Sequence, residues 1–451
     1  MNYTFKNLQF LLIFILGTAP GYAQIEFSGE VNLRGMLSSN DELPFWMHRN
    51  QRGRVSSTTN FTGWINGKAN YEINRDKTLE IGGGILYQDA FKDEVFLDEL
   101  YAQYKNSWLT IIVGRKQRKE LYDGLSATNE NILWSLNSRP MPGLQFKTNA
   151  PIFFSRDRKW GFEASWSEYI MEKDRFVEFA RVHHKSISLI YQPNQNLKIK
   201  AGLQHFAQWA GTSTDPEVGK QPQGFVDYLR IVTGRGGGEN STPSDQANVL
   251  GNHIGSYEFS VTKGYKDFSL SFIYNSIFED GSGSRFANIP DGRYGIFMKY
   301  KDKDRLFNAF MYEFYYTKNQ SRYTFSGADN YFNNGPVYNS GWTYEKRVLG
   351  APFFTEQEDG LGIKKNAFLV HHIGFGGQFS NYFHSYPYKL LLSMVGYEGS
   401  SSIGPEQEML FLDYQIRVFQ SFVDIGVNLS AEYDSFTSPN YGAGIHVSKS
   451  F

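Results

Sequence analysis

The sequence contains no cysteine. That excludes a disulfide framework and a lipid-modified N-terminal cysteine, and it removes thiolates from any metal site. Charge of one sign is also missing. The 45 Lys and Arg against 46 Asp and Glu leave a formal net charge of -1, which argues against a nucleic-acid or general polyanion partner. Beyond residue 24 no apolar run approaches the roughly 20 residues a spanning helix needs, so helices do not cross a membrane here. Catalytic signatures are absent too. There is no Gly-x-Ser-x-Gly elbow and no readable Ser/His/Asp arrangement. Gly234-Arg-Gly-Gly-Gly238 lacks the Lys-Ser/Thr pair of a phosphate loop and reads as a flexible tip. His183-His184 and His371-His372 are adjacent pairs. In a strand each pair splits between two faces and offers one ligand to a given site, and His384 stands alone. The expectation is a protein that is not an enzyme and holds no metal or cofactor.

Aromatic residues make up 17% of the chain and glycine is abundant at 44 residues. Both suit strands that meet a membrane interface. Period-two alternation recurs throughout. In 63–74, Ile65, Ala69, Tyr71 and Ile73 share one face, and Trp64, Asn66, Lys68, Asn70 and Glu72 share the other. In 422–434, Val423, Ile425, Val427, Leu429, Ala431 and Tyr433 alternate with Asp424, Asn428, Ser430, Glu432 and Asp434. The C-terminal run sets Tyr441, Ala443, Ile445, Val447 and Phe451 against Gly442, Gly444, His446, Ser448 and Ser450. Such strands fit a wall with lipid on one side and water on the other.

Strands are expected near 25–36, 62–74, 79–87, 95–104, 109–115, 144–149, 161–170, 184–191, 197–206, 253–264, 267–277, 295–301, 306–318, 368–379, 388–396, 408–418, 422–434 and 441–451. Connections alternate in length along this series. Tight turns such as 74–78, 105–107, 193–196 and 419–421 alternate with longer segments at 37–61, 116–143, 171–183, 207–252, 278–294, 319–367 and 397–407. Short connections on one rim and long ones on the other mark an outer-membrane barrel. The fold class is therefore all-β: a transmembrane, antiparallel, up-and-down β-barrel of about 18 strands. Residues 126–136 carry hydroxyl caps with Ile132, Leu133 and Leu136, and read as a short helix in or over the lumen. Lys6, the apolar stretch 8–16 and Gly21-Tyr-Ala23 read as a signal peptide over 1–23, with the barrel over 24–451.

The long loops are rich in Trp, Tyr, Asn and Arg. Flat rings beside amides suit sugars, because rings stack on pyranose C–H faces while hydroxyls take the hydrogen bonds. The candidate polysaccharide-binding residues are Trp46, Arg49, Trp209, Tyr331, Asn334, Trp342 and Tyr344. Packing of the loops on one another and on the rim is the competing role for each ring. Arg115, Asn137 and Arg139 are candidate lumen or plug residues.

Two stretches carry a family resemblance. Gly114-Arg115 followed by Asn137-Ser-Arg-Pro-Met-Pro142 and the strand 143–148 is similar to the core motif of the Wzi-type capsule assembly proteins. So is the run from Asn330-Tyr-Phe-Asn-Asn through Ser340-Gly-Trp-Thr-Tyr-Glu-Lys-Arg-Val-Leu-Gly350-Ala-Pro-Phe353. The blocks around His253 and 371–377 follow in matching order, while Arg115-Lys-Gln-Arg-Lys-Glu120 is more basic than the family pattern. The resemblance implies an 18-stranded outer-membrane barrel closed by its loops. It further implies a lectin-like role in holding capsular polysaccharide, without hydrolysis. The partners then expected are surface polysaccharide and outer-membrane lipid, with the polysaccharide export machinery a further candidate at the periplasmic turns. The alternative is an outer-membrane porin or substrate-specific channel.

Overall fold

The computed structural model describes residues 25–91, 94–281, 283–322, 329–333, 337–381, 384–399 and 404–451. The expected signal peptide and Asn334 lie outside the described residues. The described chain folds into one antiparallel sheet that closes on itself. Its long strands are β1 (Ile25–Ser38), β2 (Phe61–Asn74), β3 (Lys77–Gln88), β4 (Val95–Lys105), β5 (Leu109–Arg115) and β6 (Gly143–Thr148). They continue with β7 (Trp160–Ile170), β8 (Arg181–Asn194), β9 (Leu197–Trp209), β10 (Asn252–Gly264), β11 (Phe268–Ser276) and β12 (Gly292–Tyr300). The last six are β13 (Ala309–Tyr316), β14 (Phe368–Ser380), β15 (Ser385–Tyr397), β16 (Gln407–Gln420), β17 (Asp424–Asp434) and β18 (Asn440–Ser450). A two-residue piece, Ile152–Phe153, prolongs the line of β6 by pairing with β7, so the sheet counts nineteen segments for eighteen staves.

Each strand pairs with its sequence neighbours, and β18 returns to pair with β1 from Glu30 opposite Ser450 to Ser38 opposite Gly442. The Gly29 and Phe451 backbones exchange both hydrogen bonds, at 2.9 and 3.0 Å, and finish the seam. Closure satisfies every edge, which a lipid-embedded sheet requires.

Period-two sorting decides which side faces out. Leu33, Leu37, Ile65, Ile81, Ile85, Ile187, Leu189, Leu429, Tyr441 and Ile445 are exposed on the outer wall. Asn32, Trp64, Gln204, Asp413 and Ser430, from these strands and their neighbours, are buried inside. Apolar-out and polar-in is the reverse of a soluble barrel. The lumen-facing charges find partners across the wall. Lys198 and Lys200 reach Glu163, Asp413 accepts from Asn428 and Ser430, and Arg417 lies 3.8 Å from Asp424. Loop lengths segregate as expected, with turns at 75–76, 106–108 and 195–196 on one rim and segments at 39–60, 116–142, 210–251 and 317–367 on the other.

The described residues hold three α-helices: α1 (Phe45–His48), α2 (Phe225–Thr233) and α3 (Pro243–Ala247). Residues 126–136 are not one of them. They form turns with a single bridge between Asn131 and Trp134. The apolar side chains do enter the lumen, but Ser126 and Asn131 spend their side chains on local backbone N–H groups, which competes with a helical ladder.

Candidate functional site

Loops 39–60, 116–142 and 317–367 fold inward and meet in one apolar core. From loop 39–60, Phe45 of α1 stacks on Phe411 of β16 at 4.0 Å, and Trp46 meets Phe353 edge-on at 5.9 Å. Its start is fixed by Glu432, which accepts the Phe45 N–H at 2.8 Å. From loop 116–142, Leu125, Ala127, Ile132 and Leu133 are fully or almost fully buried. From loop 317–367, Tyr331, Phe332, Trp342, Phe353 and Phe354 join them, and the wall contributes Phe206, Met311, Tyr315, Phe368, Val395 and Phe411. Gly350 is required where two segments cross: a Cβ there would sit 2.4 Å from the Phe332 ring and 2.7 Å from the Ile132 carbonyl. An apolar layer thus crosses the lumen between staves on several sides of the barrel.

Polar anchors fasten this plug to the wall. Glu313 of β13 and Arg293 of β12 pair at 2.7 Å with no side-chain exposure. Glu313 also accepts from Ser126 Oγ at 2.8 Å and from the Ala127 N–H at 2.7 Å, and Arg293 donates to Glu130 O and Asn275 Oδ1 at 3.0 Å. His372 of β14 bonds the Leu125 carbonyl at 2.9 Å and Ser393 at 2.7 Å. A buried ion pair with all its valences met holds one arrangement strongly, because loss of either partner strands a charge.

The strand-to-plug corner is made by Gly114, whose φ of +108° and close approach to the Leu100 carbonyl leave no room for a side chain. Arg115 follows. It donates to Tyr344 Oη at 2.8 Å and lies 3.7 Å from Glu345. Arg139 pairs with Glu345 at 2.5 Å and covers the Phe96 ring at 4.3 Å. Asn137, wholly buried, accepts from the Asn50 N–H and donates to Val348 O at 3.1 Å. Asn137 and Arg139 therefore clasp loop 317–367 to loop 116–142, and Arg115 clasps it to the end of β5. Arg54 and Asp98 add a buried two-point pair at 3.0 and 2.6 Å.

Burial sets the ionisation of the loop groups. The Arg118 guanidinium, inside the plug over the Trp134 ring, is lowered to about 10, and Arg347 is lowered to about 10 with Arg49 as a second cause. His48 is pushed well below its usual value by burial, then by Arg49 and Arg347, and stays neutral. Asp291 is pushed up to about 6 by burial, although the Asn319 and Gln320 N–H groups and Tyr331 Oη all donate to it.

The sugar-binding candidates fall mostly inside this core. Trp46, Trp209, Tyr331, Trp342 and Tyr344 are buried, and neighbours occupy their faces or polar ends. Trp342 donates to Leu133 O at 2.7 Å and packs on Phe206 at 5.3 Å. Trp209 lies outside the lumen, on the outer wall against Tyr228 at 5.3 Å. Arg49 pairs with Glu356 at 2.8 Å. Composition alone identifies rings in loops but not whether a second ring covers them.

Two features escape sequence reasoning. An open cleft of about 920 Å³ lies at the long-loop rim, lined by Tyr316, Lys318, Arg322 and Glu398, with Arg322 paired to Glu398 at 2.6 Å. Inside, a cavity of about 510 Å³ is lined by Arg34, Arg52, Arg54, Trp64, Lys389 and Arg417 among others. The cleft joins residues from two separate loops, and the cavity joins strands from opposite ends of the chain, so neither has a local motif.

Comparison with known proteins gives the following. Residues 32–366, more than half of the chain, match the family model of capsule assembly protein Wzi. No curated relative matches the chain in sequence. Among solved structures, Wzi of Escherichia coli aligns at a TM-score of 0.58 and 12% identity, over 93% of this chain and 83% of that one. That protein is described as a carbohydrate-binding β-barrel of the outer membrane involved in group 1 capsule assembly. Acinetobacter baumannii OccAB2 aligns at 0.50 and 10% identity, over 94% of this chain and 98% of that one. At such identities the likeness is one of fold.

Proposed function

The chain belongs to the Wzi capsule assembly family, and from that premise we propose that it is a closed outer-membrane barrel that binds or organises exported capsular polysaccharide at the cell surface. The role is one of binding rather than catalysis. The observation that carries it is the plug. An apolar core crosses the lumen and is tied to the wall by the Arg293–Glu313 pair, whereas a barrel of this size used as a porin keeps an aqueous channel. The long loops are thus spent on building a surface over a stopper.

On this reading the polymer meets the outer surface of the loops near 37–61, 207–252 and 319–367. Trp46, Arg49, Trp209, Tyr331, Trp342 and Tyr344 act on binding by fixing the shape of that surface, and Asn334 is kept as a sugar-binding candidate on its sequence alone. The rim cleft offers a tyrosine ring beside both signs of charge at Lys318, Arg322 and Glu398, a set able to take sugar hydroxyls and carboxylates. Export machinery would approach from the opposite rim, where the turns are short.

The experiment is direct binding. Purified barrel is titrated with surface polysaccharide from its own host and with a neutral dextran, and the same preparation is tested for conductance in planar bilayers. The proposal expects saturable binding of the host polymer, weakened by Lys318→Ala with Tyr316→Ala, and a silent bilayer. No binding together with steady ion conductance would overturn it in favour of a porin.

A further inference from the structure

Loop 210–251 sends Val218 to the lumen core and pairs Thr212–Ser213 with Val177–Glu178, but its later part does not follow the other loops inward. Its helix α2 lies against the outer wall of β7–β10. The outward-facing Glu168, His183, Lys185 and His205 form a polar block there, interrupting an apolar belt that includes Ile170, Ile187 and Leu189. The helix covers that block. Tyr228 Oη donates to Glu168 at 2.5 Å and accepts from Trp166 Nε1 at 3.1 Å. Lys185 Nζ donates to the Val232 carbonyl in the last turn, where a cation also suits the helix dipole. His205 meets His253 at 2.9 Å, and His253 bonds Leu250 O at 2.8 Å. Ile231 and Leu250 complete the contact with Ala207 and Trp209.

With Tyr228 and Ile231 turned to the wall and Asp227 buried among Gly224, Arg230 and Asn240, the opposite face of α2 carries Phe225, Val226 and Leu229, which are 75%, 61% and 46% exposed. At 100° per residue these three form one contiguous stripe. A helix with a second apolar face aimed away from its protein is at home only against another apolar phase. Directly below it, an apolar groove of about 480 Å³ runs along the outer wall between Phe146, Phe162, Trp166, Ile187 and Leu203, with Lys185 and His205 at its upper end. The groove meets the helix at Trp166, which lines the groove and donates to Tyr228, and both are amphipathic rings of the kind that settle at a membrane interface.

We propose that α2 is a membrane-surface helix: it seats Phe225, Val226 and Leu229 in the outer leaflet and closes the top of a groove that an acyl chain of the bilayer lipid occupies. The inference rests on the outer-membrane reading above. The helix would hold the barrel at a set depth and tilt on one side, so that the loops stand at a fixed height above the lipid.

The absence of cysteine makes the test direct. Single variants Val226→Cys and Leu229→Cys carry a spin label, with Ile187→Cys as the lipid-belt reference and the exposed Glu239→Cys as the water reference. The full-length protein is placed in phosphatidylcholine–phosphatidylglycerol vesicles, and collisions with oxygen and with a water-soluble nickel chelate are compared. The expected result is an oxygen-to-nickel ratio at 226 and 229 near that of Ile187→Cys and several-fold above that of Glu239→Cys. A water-like ratio at 226 and 229 with a lipid-like ratio at 187 overturns the helix assignment alone. Shielding of 226 and 229 from both reagents gives the stripe a protein partner and also overturns it. A water-like ratio at 187 overturns the outer-membrane reading as well.

Discussion

Replacing Glu313 by alanine should loosen the plug without unmaking the barrel. Arg293 and Glu313 sit on adjacent strands, and both side chains are fully enclosed because loop 116–142 lies over them. Three donors converge on the carboxylate: the Arg293 guanidinium, Ser126 Oγ and the Ala127 N–H. Removing one partner of such a buried pair costs about 3–5 kcal/mol, because the remaining charge stays desolvated. That penalty exists only while the plug is seated; once residues 125–130 lift away, water reaches Arg293 and relieves it. At 1.4 kcal/mol per factor of ten, the lifted state should gain population roughly 10²- to 10⁴-fold. Planar-bilayer recording reads this as channel openings in Glu313→Ala where the parent is silent, and limited proteolysis reads it as cleavage within 116–142. A second variant, Arg293→Met with Glu313→Leu, removes both charges and should restore much of the closure, since no unpaired ion remains. If Glu313→Ala stays as silent and protease-resistant as the parent, the ion pair does not hold the plug.

Three further outcomes follow from the same geometry. Arg139→Ala should lower the stability of the loop assembly by about 1–2 kcal/mol through loss of the Glu345 pair and the Phe96 ring contact, and a double-mutant cycle with Glu345→Ala should show coupling. Trp342→Ala, which removes a ring buried over Phe206, should cost about 3–5 kcal/mol and expose 317–367 to protease while the strands remain intact. Stability of that loop should also depend on pH. Burial raises the carboxyls of Asp291 and Asp329 to about 6, above an unfolded value near 3.9, so the folded loop binds the extra protons. Their contribution is full below about pH 4 and is lost as pH rises through about 6. Hydrogen exchange at 317–322 and 329–333, corrected for intrinsic rates, should therefore show stronger protection at pH 5 than at pH 7.5; equal protection would contradict the assignment.

The staves were legible because lipid on one side and a polar lumen on the other impose a strict two-residue period. The final strand is expected at 441–451 and found at 440–450, and β2 is expected at 62–74 and found at 61–74. Loop parity followed from the same count. The loop interiors were not legible. The hydroxyls and apolar residues of 126–136 mimic a capped helix, but their partners come from β10, β13 and distant loops. Trp342 and Tyr331 look like surface rings until Leu133 and Asp291 take their polar ends. Helix α2 was hidden in a loop because its nine residues carry apolar side chains on two faces, Ile231 toward the wall and Phe225, Val226 and Leu229 away from it, which blurs the single stripe of a surface helix. The His205–His253 contact depends on cross-strand register, which single-strand alternation does not fix.

The central claim, a closed barrel that keeps exported polysaccharide on the cell, is tested most directly in the producing strain. Cell-attached and released polysaccharide are measured after clean deletion of the gene and after complementation. The account predicts that attached polymer falls and released polymer rises, with both restored by the complementing chain. An unchanged distribution between the two fractions would contradict it.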